Sequence, residues 1–145
     1  MAIPFDRNEI NRAIRGSIVE EVREIGAGFA RQIVFRTPVG MPETWKNPPP
    51  PGYKPGHARK NWRASIGRKL NDEVPGVDPG GGSTTAELFN VVRSYNNPRQ
   101  ALMFQNGVPY IRRLNAGWSR QAAPGFVELT EQAAVAVVRG GRKFI

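Results

Sequence analysis

The sequence predicts an α+β domain in which a long N-terminal helix and a C-terminal helix pack on a small antiparallel sheet, with long Pro/Gly-rich loops between them. Three observations lead there. Apolar residues recur every three or four positions across the first 36 residues and again after residue 124. Short strand-like runs at 64–70 and 100–105 lie between these helical stretches. The 13 Pro and 16 Gly gather in the stretches between the periodic segments. At 145 residues the chain fits one domain.

The first element is the clearest. Ile10, Ile14, Ile18, Val22, Ile25, Phe29 and Ile33, with Ala13 and Ala30, form one stripe of a core-facing amphipathic helix over about 6–36. Asp6 supplies a short side-chain acceptor at the start, with Glu9 three residues on. Pro38 ends the helix, because the residue before a proline is pushed out of helical geometry. Such a helix is about 45 Å long. Gly16, Gly26 and Gly28 each weaken it by up to about 1 kcal/mol relative to Ala, and could permit close packing or a bend.

Residues 37–56 read as a Pro-rich loop or arm. Pro48–Pro51 have fixed φ and no backbone donors, so the segment should run extended and outside the core. Trp45 and Tyr53 flank the prolines, and two readings stay open: aromatics laid on the body, or an arm docked on a neighbouring subunit. Residues 57–70 are expected to form a short helix through Trp62 and then a strand over 64–70. Residues 71–84, with Gly80–Gly82, are expected to be a loop.

The span 85–123 should hold strands and a turn motif. Residues 86–95 are open between helix and strand, 100–105 read as a strand, and Asn106-Gly107 is the strongest hairpin-turn signal in the chain. Pro109–Leu114 look like a helical turn. Pro124 at a first helical position and Gly140-Gly141 as a stop bound the last helix, 124–139, with Phe126, Val127, Ala133, Ala134, Val137 and Val138 on one face.

Composition excludes several chemistries. Cysteine is absent and His57 is the single histidine, so thiolate and multi-histidine metal sites are not expected. No apolar run reaches the roughly 18 residues of a membrane span, and Met1–Asp6 shows no charged-then-apolar leader pattern. Gly80–Thr84 resembles a phosphate loop only superficially, lacking the lysine that should follow. No nucleophile, acid and base share a motif, and no cofactor is expected.

The net charge is +9, and its distribution is uneven. Within 6–36 six Arg meet five acids, whereas 43–69 holds seven Lys and Arg against Glu43 alone. Arg59, Lys60, Arg63, Arg68 and Lys69 lie in this basic stretch, and Trp45, Tyr53 and Trp62 are interleaved with it. Cations with aromatics can hold a single strand by phosphate contact and stacking, so a basic nucleic-acid-binding protein is one reading.

The stretch NGVPYIRRLNAGWSRQAAPGFV at 106–127 resembles the hallmark of small neck or tail-completion proteins of long-tailed bacteriophages. That pattern runs from an Asn through Pro-Tyr and a Gly-x-Ser to a Gln-Ala-Pro leading into a final helix. Here its positions fall on Asn106, Gly107, Pro109, Tyr110, Leu114, Gly117 and Pro124. A second hallmark is matched in part by Thr37-Pro38-Val39 and by Gly56, Arg59, Asn61 and Trp62, split by the Pro-rich segment. The chain departs at Ile111, Asn115 and Ala58, where a small residue, an acid and a Leu are common.

The resemblance implies a non-enzymatic structural protein of the virion, made in the host cytoplasm and placed at the head–tail interface. It implies a homo-oligomeric ring, hexameric or dodecameric, between portal or connector and tail terminator or tube proteins, around the DNA channel. On that reading Trp45 and Tyr53 contact a neighbouring subunit, as does the 72–84 loop. Arg59, Lys60, Arg63, Arg68 and Lys69 face transiting DNA, and the 106–124 motif is scaffold. A tail terminator or minor tail protein is the nearest alternative.

Overall fold

A computed structural model of the chain describes Ala2 and residues 6–140. It has the expected α+β architecture. The elements are α1 (Arg7–Arg36), a 3-10 turn (Pro42–Thr44), α2 (His57–Lys60), β1 (Trp62–Ile66), α3 (Gly82–Ser94), β2 (Leu102–Asn106), α4 (Ile111–Asn115) and α5 (Phe126–Arg139).

Helix α1 begins as predicted: the Asp6 carboxylate accepts from the amides of Asn8 and Glu9. Its stripe, however, splits in two. Phe29, Ile33 and Val34 are buried, but Ile10, Ile14 and Ile18 are 43%, 52% and 43% exposed. The core-facing reading holds only for the C-terminal half, because the buried residues begin at Glu24 and it is Phe29, Ala30, Ile33 and Val34 that cluster with Leu88 of α3 and Phe126 and Ala134 of α5. Gly26 lets β2 come close: a methyl there would meet Leu102 Cδ2 at 2.8 Å.

The sheet has two antiparallel strands, pairing Trp62 with Asn106 at one end and Ile66 with Leu102 at the other. The first strand starts at Trp62 and not at 64 as expected, because the short helix stops at Lys60. Trp62 is buried against Phe29, edge to face at 6.1 Å, and Phe104 stacks tilted on the same ring at 4.8 Å. Ala58, Leu88, Val108, Leu114, Phe126 and Ala134 complete this core.

Asn106-Gly107 does not form a hairpin turn. The two strands are joined through α3, and Gly107 is not among the glycines with positive φ. Gly107 is needed for space: a methyl would stand 2.2 Å from the Asp72 carbonyl oxygen. Asn106 instead ties elements together, donating to the Ala58 carbonyl and accepting from the Val108 amide.

Residues 82–94 are helical, which resolves the ambiguity at 86–95 and moves Gly82–Thr84 out of the expected loop. The start is organised by Asp78, whose carboxylate accepts from Gly81 N, Thr84 N and Thr84 Oγ1 at 3.0, 2.8 and 2.8 Å. Burial raises the pKa of this carboxyl, but the hydrogen bonds from Thr84 and Gly81 and the charge of Lys60 outweigh it and leave it below the ordinary value. A depressed pKa stabilises fully above the unfolded value of about 3.9, and the contribution is lost as pH falls through the folded value. Asp78→Asn is therefore expected to cost about 1–2 kcal/mol at neutral pH. Urea titrations of the two proteins should converge as pH falls through the folded pKa of Asp78, where the native carboxylate is protonated too.

The last helix starts at Phe126, after Gly125 with φ 75°, so Pro124 is not at its first position. Pro124 packs on Gly117 instead: a methyl on Gly117 would meet Pro124 Cγ at 2.8 Å, and Gly117 has φ 91° where the chain reverses. Asn115 caps the helix from outside it, accepting from Val127 N and donating to Glu128. Gly140 follows the helix as its cap, and Gly141 lies outside the described residues.

Candidate functional site

The Pro-rich segment does not float free. Thr37, Pro38 and Gly40 are buried, and the Gly40 amide donates to Gln121 at 3.1 Å. Trp45 forms an antiparallel bridge with Ser119, which fastens the arm to the turn after α4. Trp45 stacks edge-on with Tyr53 at 4.8 Å and with Tyr110 at 6.1 Å. The Tyr53 hydroxyl donates to the Val39 carbonyl at 3.2 Å. Burial pushes the Tyr53 phenol up, against a hydrogen bond from Trp45 that lowers it.

Trp45 and Tyr53 are thus brought together, and with Tyr110 of the 106–124 motif. Trp45, Pro48, Pro50, Tyr110, Leu114 and Trp118 line a cleft of about 210 Å³. Lys46 and Arg113 also line it: Lys46 Nζ donates to the Gly117 carbonyl at 3.1 Å, and the Arg113 guanidinium lies 5.2 Å from the Trp118 ring centre. Burial pushes the Tyr110 phenol up strongly, and its hydroxyl has no hydrogen-bond partner among the described residues. Trp118 is the open edge of this cluster, 51% exposed. Its isolated place between Gly117 and Ser119 offers no periodicity from which its exposure could be read.

The basic stretch divides. Arg59 is turned inward, donating to the carbonyls of Thr37, Pro79 and Phe35 at 2.8, 2.6 and 3.0 Å. It closes the C-terminal end of α1, where free carbonyls and the helix dipole favour a cation. Partial burial lowers its pKa, and Asp78 acts in the opposite sense. Lys60 pairs with Glu87 at 3.2 Å and Arg63 with Asp72 at 2.6 Å. The hydrogen bond from Arg63 is the main reason the Asp72 carboxyl lies below its ordinary value. Arg68 and Lys69 are exposed beyond the end of β1. Trp62 is buried, with its indole N–H on Thr37 Oγ1 at 2.7 Å, so it is not interleaved with the surface cations.

His57 acquires a carboxylate that its sequence neighbours do not supply. Its Nε2 lies 2.5 Å from Glu73 Oε1 and its Nδ1 2.7 Å from the Gly76 carbonyl oxygen. Both nitrogens face acceptors on the 71–80 loop, so the ring clasps that loop to α2. Asn61 holds the same loop, accepting from Val74 N and donating to Val74 O. No group of three or more His, Asp or Glu able to hold a metal ion occurs among the described residues. None of their helices is long and apolar enough to cross a membrane.

No protein-family model, curated protein or solved structure matches this chain.

Proposed function

We propose that the chain is a non-enzymatic structural protein of a phage virion, a joint between head and tail that assembles as a ring around the DNA passage. The observation that carries this reading is the use made of the 106–124 motif. Asn106 ties β2 to α2, Gly107 lets the 72–73 backbone approach, Leu114 enters the core, and Gly117 packs on Pro124. Tyr110 meets Trp45 of the Pro-rich arm. Asn106, Gly107, Leu114, Gly117 and Pro124 are spent on backbone contacts and packing, which suits a part whose task is to hold shape.

The surface available for neighbours differs from the sequence expectation. Trp45 and Tyr53 pack on their own chain, so Trp118, with Lys46 and Arg113, is the better candidate for contact with an adjoining subunit. Channel-facing charge rests on Arg68 and Lys69, since Arg59, Lys60 and Arg63 already hold internal partners. Two cations per subunit suit loose, sliding contact with DNA phosphates. A ring multiplies them, whereas a free monomer gains little.

Particles of the phage encoding this chain should contain it in the neck at a few to a dozen copies, seen by mass spectrometry and by reconstruction of the particle. Absence from particles would sink the proposal. The free nucleic-acid binder predicts something else: submicromolar retention of DNA on filters at about 150 mM salt, with a steep salt slope. Weak binding that Arg68→Ala/Lys69→Ala abolishes, without loss from the particle, is the result expected of a joint.

A further inference from the structure

Four turns of α1 stand outside the fold, and their composition makes that costly. Asn8, Asn11, Gly16, Ser17 and Val19 are poor or middling helix formers, and helices below about 12–15 residues are marginal in water without tertiary packing. Within this half, Ile10, Ile14 and Ile18 face solvent. Advancing about 40° per four residues, they turn towards Val22, Ile25 and Phe29. Those three form one side of an apolar cleft of about 520 Å³, with Phe104, Ile111 and Val127 among the residues opposite from the sheet, α4 and α5. Exposed stripe and cleft are therefore one continuous apolar strip along a single helix.

An occupant must be long enough to cover both halves and must match their charge. Residues 7–15 carry Arg7, Arg12 and Arg15 against Glu9, whereas the exposed charges of 16–22 are Glu20 and Glu21, Glu24 being buried and Arg23 bonded to the Tyr95 carbonyl. Glu131 of α5 also lines the cleft, with Arg112 of α4. A second α1 laid antiparallel sets the arginine-rich end of one helix beside the glutamate-rich segment of the other. A parallel one sets like beside like within a screening length of about 8–10 Å.

We infer that two copies of this chain pair through α1, antiparallel, each laying Ile10 and Ile14 over the cleft of the other while the two Ile18 side chains meet. The two-fold axis then passes near Ile18. This does not depend on the neck reading. A two-fold contact closes on itself, so a ring needs a second, different contact as well.

The chain has no cysteine, so single-cysteine variants of the full protein report the geometry directly. Ile18→Cys is expected to form a disulfide-linked dimer on oxidation. Ile10→Cys alone is expected not to, since its two copies lie about 24 Å apart in the antiparallel pair. Ile10→Cys mixed with Ile25→Cys is expected to cross-link. In sedimentation equilibrium, Ile14→Glu/Ile18→Glu should weaken self-association by about 100-fold or more. The near-UV signal of the packed aromatics should stay, because the core uses neither side chain. The pairing is overturned if Ile10→Cys links to itself as readily as Ile18→Cys, or if the unaltered chain is monomeric up to about 100 μM. A ring of six or twelve that survives the double Glu variant also overturns it while supporting the neck reading. A dimer that grows no further and links through Ile18→Cys supports the pairing and counts against the ring.

Discussion

Trp62→Ala is expected to lower the free energy of unfolding by about 3–5 kcal/mol, the range for emptying a large aromatic site in a core. The ring is 4% exposed, packs edge-on to Phe29, and spends its N–H on Thr37. Thr37 in turn donates to Ile33 O at the end of α1, and its own carbonyl accepts from Arg59. One side chain therefore joins helix, sheet and arm. Trp62→Phe keeps most of the packing and loses the hydrogen bond, so about 1–2 kcal/mol is expected. Chemical denaturation separates the two variants. An unchanged midpoint in the Ala variant would place Trp62 at the surface, as a stacking group for single strands requires.

Gly107→Ala is expected to be as damaging, by about 3 kcal/mol or more, for a reason unrelated to turn conformation. The added methyl would lie 2.2, 2.7 and 2.9 Å from Asp72 O, Asp72 C and Glu73 N, all backbone atoms. That backbone cannot step aside cheaply. Leu70 N donates to Gln105 Oε1, Arg63 holds Asp72, His57 holds Glu73, and Val74 N donates to Asn61. Either the domain loses stability, or the 70–76 loop detaches and becomes a site of limited proteolysis. A variant that melts with the parent and resists protease there would show that the loop does not press on Gly107.

The helix ends that could be read in advance were those with local causes. Asp6 and Glu9 sit within one turn of the helix they start, and the extended geometry before Pro38 acts on its neighbour alone. The other features have distant causes. Gly80–Thr84 look like a tether until Asp78 is seen to collect three hydrogen bonds at the mouth of α3. Asn106-Gly107 carries a hairpin signature, yet the partner strand is β1, some forty residues earlier, and the glycine answers to a passing loop. Arg59 counted as surface charge because charge is legible in a sequence and its three carbonyl partners are not.

What the amino-acid order alone determined is the class of this protein: two amphipathic helices, a small antiparallel sheet, loops dictated by Pro and Gly, and a chain without cysteine. These are consequences of periodicity and of the backbone limits of single residue types, and both act over a few residues. Tertiary structure alone decided which half of α1 is covered, which cations remain at the surface, and that Trp45 stacks on both Tyr53 and Tyr110. Those outcomes depend on which elements reach one another in space, and a stripe of isoleucines reads the same whether or not a partner lies against it.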